Sequence, residues 1–239
     1  MDEQRRTGPV SKAPMLLTFG NGLLGASAIV LVFLGHPWPG GLLLLLAALL
    51  DAYDGRLARK LGVDSHGGAV ADSLADLVSF ATAPAVFLYM VIGGPWGLVV
   101  AVMFALFIAG RLLRYLLDPP PAGSYIGLPS PSAALPTTAA ALIALREGWP
   151  VFAAVAALFF GLLAISRFQF PGWGHPAMKL LPKAVRAIIW IGLLVLFFLR
   201  PAEAVLAFFT LYLILGPFLL IRFHAALAEE AVGEGGAVP

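Results

Sequence analysis

Four aspartates carry the chemical signal in this sequence. Asp51 and Asp54 stand three positions apart and Asp72 and Asp76 four apart, spacings that put each pair on one face of a helix. Both pairs fall inside long apolar stretches, where an uncompensated charge costs at least ~2.5–3.5 kcal/mol. Between them, Lys60–Gly67 carries Lys60, Gly62, Asp64, Ser65 and His66, a polar turn, so the two helices are expected to run antiparallel. At ~1.5 Å rise per residue, Asp51 lies roughly 12 Å below Arg59 and Asp76 roughly 12 Å below Gly68. Asp54 and Asp72 lie about 7.5 Å and about 6 Å down. The spacing therefore predicts four carboxylates meeting in two matched layers. Such a cluster needs neutralising, and hard divalent cations, which prefer carboxylate oxygen, fit best. Arg56 and Arg59 at the mouth balance part of the charge. Gly55, Ala58, Gly68 and Ala69 remove side-chain bulk beside it, whether for a ligand or for plain helix packing. A metal site with open space beside it points to phosphate chemistry, because Mg²⁺ is usually held by a few carboxylates plus substrate phosphates. The competing reading of intramembrane aspartates is an ion or proton pathway in a transporter.

The elements that position these residues are legible in the composition. Of 239 residues 60% are hydrophobic and 12% charged, with a mean hydropathy of +0.93, against roughly a quarter charged in soluble domains. This is the composition of an integral membrane protein. The net charge of +2 carries no nucleic-acid message, and with no cysteine there is no thiolate chemistry. Eight apolar stretches, at 15–34, 39–60, 67–92, 96–117, 131–147, 149–165, 183–199 and 202–225, come close to the ~20 residues that cross a bilayer. The expected fold is all-α, a polytopic helical bundle of about eight transmembrane helices (six to eight). It forms a single domain over 1–225, with a disordered tail over 226–239 rich in Glu and Gly. Thirteen of 15 basic residues fall on the side of the amino terminus, with Arg146 and Arg200 opposite. The positive-inside rule then predicts both termini, and the site, at the cytoplasmic face of the cell membrane. Trp38, Trp96, Trp149 and Trp173 are expected to anchor the interfaces, Lys179, Lys183 and Arg186 to meet anionic head groups. His36, His175 and His224 are too dispersed for a metal site.

Asp51-Ala-Tyr-Asp54-Gly55-Arg-Leu-Ala58-Arg59, eight residues, Gly68, three, Asp72, three, Asp76 resembles the signature of the CDP-alcohol phosphotransferases at all eight of its fixed positions. Three further segments resemble the branch of CDP-diacylglycerol–serine O-phosphatidyltransferases, the phosphatidylserine synthases. They are Thr18-Phe-Gly-Asn21-Gly-Leu-Leu-Gly25, Asp72–Phe80 followed by Ala83-Pro84-Ala85, and Tyr125-Ile-Gly127-Leu-Pro129-Ser-Pro131-Ser-Ala-Ala134. Departures from the branch are Met15 after Pro14, where an Asn is often found, and Tyr115-Leu116 after Arg114, where it often shows Phe-Asn.

The resemblance implies a dimeric membrane enzyme that moves a phosphatidyl group from CDP-diacylglycerol to an alcohol and releases CMP. It implies two divalent ions, Mg²⁺ or Mn²⁺, on Asp51, Asp54, Asp72 and Asp76, with Asp76 also the general base. Thr18, Gly55, Ala58, Arg59, Ser65 and Gly68 would surround the CDP-lipid. L-serine is the expected acceptor, with glycerol 3-phosphate and inositol phosphate as alternatives. Arg111, Arg114, Arg167 and Ser130 are the candidates to grip the acceptor, since an Arg at a helix end can hold a carboxylate or phosphate. For the arginines the plain positive-inside signal is an equal alternative, and Ser130 and Ser132 can equally start the fifth helix.

Overall fold

The computed structural model describes residues 12–61, 66–118, 124–171 and 182–235. Nine α-helices among them make eight rods: α1 (Lys12–Phe33), α2 (Pro37–Leu61), α3 (His66–Asp76), α4 (Ala83–Ile92), α5 (Gly94–Leu117), α6 (Ser130–Glu147), α7 (Pro150–Ile165), α8 (Lys183–Leu199) and α9 (Pro201–Gly235). One π-helical segment, Leu77–Thr82, joins α3 to α4 without a break. The eight rods coincide with the eight expected apolar stretches to within a few residues, except at the C-terminal end. Four of them, Met15–Phe33, Gly67–Ile92, Gly94–Leu117 and Pro201–Phe223, are long and apolar enough to cross a membrane, and Pro150–Ile165 is a shorter apolar helix. Helix α2 is long enough but holds Asp51, Asp54, Arg56, Arg59 and Lys60; α6 and α8 are 18 and 17 residues long. The bundle is that of a helical membrane protein.

Two features depart from the expectation. A short antiparallel ribbon pairs β1 (Ser124–Ile126) with β2 (Gln169–Pro171), a strand pair that three-residue segments do not announce in sequence. Helix α9 continues to Gly235, so helical backbone covers residues 226–235 of the segment expected to be disordered. Its run Ala225-Ala-Leu-Ala-Glu-Glu-Ala231 consists of strong helix formers that extend an existing helix at little cost.

Packing follows from where small residues fall. In α6 everything from Ser132 to Ala144 is buried, because a helix that is apolar and alanine-rich on every side can be surrounded. It packs against α4, α7, α9 and α2. By contrast α8 buries none of its residues and leans on α9, with Trp190 and Phe208 ring centroids 5.7 Å apart. Between α4 and α5 the chain reverses through Gly93 and Gly94 at φ +70° and +60°, a left-handed conformation that glycine adopts without strain.

The two helices ahead of the site present matched stripes. On α1, Thr18, Asn21, Gly25, Ala28 and Val32 are buried; on α2, Pro37, Gly40, Leu44, Ala47 and Asp54 are. The α1 set steps by three and four residues, the period of one helix face, and so does the α2 set once half-buried Asp51 is placed between Ala47 and Asp54. The aspartates therefore extend the core-facing side of their helix and do not leave it.

Candidate active site

Asp51 and Asp54 come from the last turns of α2, Asp72 and Asp76 from α3, and three of the four, Asp51, Asp72 and Asp76, come together. Ligand oxygens of Asp51, Asp72 and Asp76 all lie within 4.8 Å of one another. The fourth carboxylate turns toward α1, where the Thr18 hydroxyl donates to Asp54 Oδ2. Helix α1 there offers a donor that Asp54, 5% exposed, needs when cut off from water.

The cluster fits a divalent cation. Oxygens bound to one octahedral Mg²⁺ at about 2.1 Å lie about 3.0 Å apart in adjacent positions and about 4.2 Å in opposite ones, so the observed spread needs little closing. Among the described residues, Arg111 is the buried cation beside these carboxylates, close enough to Asp51 and Asp76 to interact with both. One positive charge does not balance three carboxylates, which leaves the donor set suited to a hard metal ion.

Arg111 is built in rather than left at the surface. Its Nη1 donates to Ser130 Oγ at 2.7 Å, its guanidinium carbon lies 4.3 Å from the Tyr115 ring centroid, and its Nε has no hydrogen-bond partner among the described residues. Ser130 is wholly buried at the first turn of α6, so it both starts that helix and meets Arg111. The four acceptor candidates thus separate. Arg111 and Ser130 come together, with the Arg111 charge near Asp51 and Asp76. Arg114 instead donates to the carbonyls of Ile165 and Ile126, both at 2.9 Å, and of Ala164 at 3.5 Å. It ties the end of α7 to β1. Arg167 is exposed between α7 and β2.

Of the residues expected around the CDP-lipid, Thr18 is buried on α1, Gly55 is half-buried and Gly68 exposed near the open end of the cluster. Ala58 and Arg59 lie in the last turn of α2, and Ser65 lies outside the described residues. Sequence reasoning gave no role to Asn21, whose Nδ2 donates to Asp76 Oδ1 at 3.0 Å. The available signal was an amide on the same stripe as Thr18, in a helix otherwise apolar along that face.

A helical membrane bundle that gathers carboxylates, a nearby buried guanidinium and small residues at one end is the architecture of a metal-dependent transferase acting on lipid head groups. The family model described as CDP-alcohol phosphatidyltransferase matches residues 11–215, and the chain belongs to that family. It is accordingly an integral membrane enzyme of phospholipid biosynthesis, a CDP-alcohol phosphotransferase, of a family that is divalent-metal dependent and transfers to a hydroxyl acceptor. Enzyme chemistry displaces the transporter reading. Among its relatives is a CDP-diacylglycerol–serine O-phosphatidyltransferase of Helicobacter pylori, 31% identical over 185 residues, covering 73% of this chain and 76% of the relative. Proteins of the same name from Bacillus subtilis (29% over 162 residues, 66% of this chain and 89% of the relative) and Mycobacterium tuberculosis (36% over 149 residues, 57% and 51%) are also similar.

Proposed function

We propose that this enzyme transfers the phosphatidyl group of CDP-diacylglycerol to the hydroxyl of L-serine, with release of CMP. The observation that carries the proposal is buried Arg111, which donates to Ser130 Oγ at 2.7 Å and is close enough to Asp51 and Asp76 for their charges to interact: a carboxylate-binding cation near a phosphoryl-transfer centre suits an acceptor that is an amino acid. The printed names of the three relatives, each specifying serine, support the same acceptor.

In this reading Asp51, Asp54, Asp72 and Asp76 hold two divalent ions, Mg²⁺ or Mn²⁺. The ions would supply charge stabilisation at the pyrophosphate oxygens, the main requirement of phosphoryl transfer. Thr18, Gly55, Ala58, Arg59, Ser65 and Gly68 seat the CDP-lipid. Arg111 and Ser130 orient the serine carboxylate, so that its hydroxyl oxygen faces the diacylglycerol-side phosphorus. That oxygen forms the new P–O bond, its proton passes to Asp76, and the P–O bond to CMP breaks with the electron pair leaving on CMP. The site faces the cytoplasm, where thirteen of 15 basic residues gather, and the enzyme acts as a homodimer.

The test is to incubate the purified enzyme with CDP-diacylglycerol, Mg²⁺ or Mn²⁺, and L-serine, glycerol 3-phosphate or inositol phosphate in turn. Phosphatidylserine and CMP formed with serine alone are expected. Product with glycerol 3-phosphate alone would sink the serine assignment and reassign Arg111 to a phosphate. Asp76→Asn should release no CMP while still binding the nucleotide-lipid.

A further inference from the structure

Asn21 is 0% exposed, in a membrane-crossing helix where an amide with nothing to do is costly. Its Nδ2 holds one oxygen of Asp76 at 3.0 Å, across 55 positions of sequence. Among the described residues its own Oδ1 has no hydrogen-bond partner. A buried amide kept for the fold alone would be expected to satisfy both ends.

The backbone around it is arranged to hold this one contact. Asp76 is the last residue of α3, and the π-helical segment Leu77–Thr82 begins immediately after it, a local irregularity that recurs at functional sites. In that segment Ser79, also wholly buried, donates to the Asn21 carbonyl oxygen at 2.8 Å. One turn along α1, Gly25 lets the two backbones close: a Cβ there would come 2.6 Å from Ser79 Cα. Gly22 gives similar room, its added Cβ meeting Ala75 Cβ at 3.5 Å. Helix α1 is thus docked by Ser79 and by its glycines, and the Asn21 amide is free to act on Asp76.

We infer that Asn21 is the positioning residue that fixes the plane of the Asp76 carboxylate, tying one oxygen so that the other is presented to the acceptor hydroxyl. The inference rests on the reading of Asp76 as the base. Removing the amide should cost turnover and not substrate binding, because a carboxylate free to rotate spends less time in the productive geometry.

The experiment compares Asn21→Ala, the isosteric Asn21→Leu, Ser79→Ala and Asp76→Asn in steady-state transfer from CDP-diacylglycerol to serine. Both Asn21 variants are expected to lose about 10- to 100-fold in kcat, with the KM for each substrate within about threefold of the parent. Ser79→Ala, which loosens the docking of α1 but leaves the amide in place, is expected to keep kcat within about threefold. Full kcat in a folded Asn21 variant, while Asp76→Asn is inactive, would overturn the positioning role alone; turnover in Asp76→Asn would overturn the base reading beneath it. A rise in the CDP-lipid KM matching the loss in kcat, an equal loss in Ser79→Ala, or failure of both Asn21 variants to fold would make Asn21 a docking residue and overturn the inference.

Discussion

The Thr18 hydroxyl on α1 donates to Asp54 on α2, 36 positions further along the chain, next to the group formed by Asp51, Asp72 and Asp76. One neutral donor on a neighbouring helix therefore ties a carboxylate of the site to α1. Replacing Thr18 by Val keeps the shape and removes the donor. Thr18 is also among the residues proposed to seat the CDP-lipid, so Thr18→Val should raise the KM for CDP-diacylglycerol by about tenfold. Steady-state kinetics with varied CDP-lipid in mixed micelles would check it; an unchanged KM would remove Thr18 from the donor site.

Chelation should silence the enzyme. With EDTA present, transfer to serine is expected to stop, and added Mg²⁺ or Mn²⁺ to restore it. Asp51→Asn, which takes one anionic ligand from the cluster, should move the half-saturating metal concentration up by about tenfold or more, since loss of a hydrogen-bonded anionic partner is worth at least ~1.4 kcal/mol. Activity in EDTA comparable to that with metal would contradict the role of the carboxylates.

Arg111 and Arg114 lie one helical turn apart and should behave oppositely. A lysine cannot reproduce a planar fork that binds Ser130 and stacks on Tyr115. Arg111→Lys should raise the KM for serine by about tenfold and leave that for CDP-diacylglycerol within about twofold. Arg114→Lys loses carbonyl contacts to the end of α7 and to β1, so its signature should be a lower Tm in detergent with both KM values near those of the parent. An interchange of the two phenotypes would show that the acceptor lies against Arg114.

Close packing gives a prediction about glycine. At Gly25 an added Cβ meets backbone, Ser79 Cα at 2.6 Å, whereas at Gly192 on α8 nothing lies within 4 Å. Gly25→Ala should therefore destabilise by about 1–3 kcal/mol through overpacking. Gly192→Ala should be neutral or stabilising by up to about 1 kcal/mol through helix propensity. Thermal unfolding of the two variants side by side would decide it, equal Tm values counting against the tight α1 contact.

The eight helical rods, most of their boundaries, and the grouping of Asp51, Asp72 and Asp76 are legible in the sequence by itself. Apolar runs of bilayer length can be satisfied only by helices, and i,i+3 and i,i+4 spacings within two helices joined by a short turn leave the carboxylates one place to meet. What passes between helices distant in sequence is decided by tertiary structure alone. It gives Asp54 to Thr18 and Asp76 to Asn21, separates Arg111 from Arg114, and forms the ribbon of β1 with β2. Each of these depends on which face of one rod turns toward another, set by packing of small residues such as Gly25 and by the need of every buried polar group for a partner. Periodicity reads one helix at a time; hydrogen bonds across 36 or 55 positions come into being only when the helices are packed.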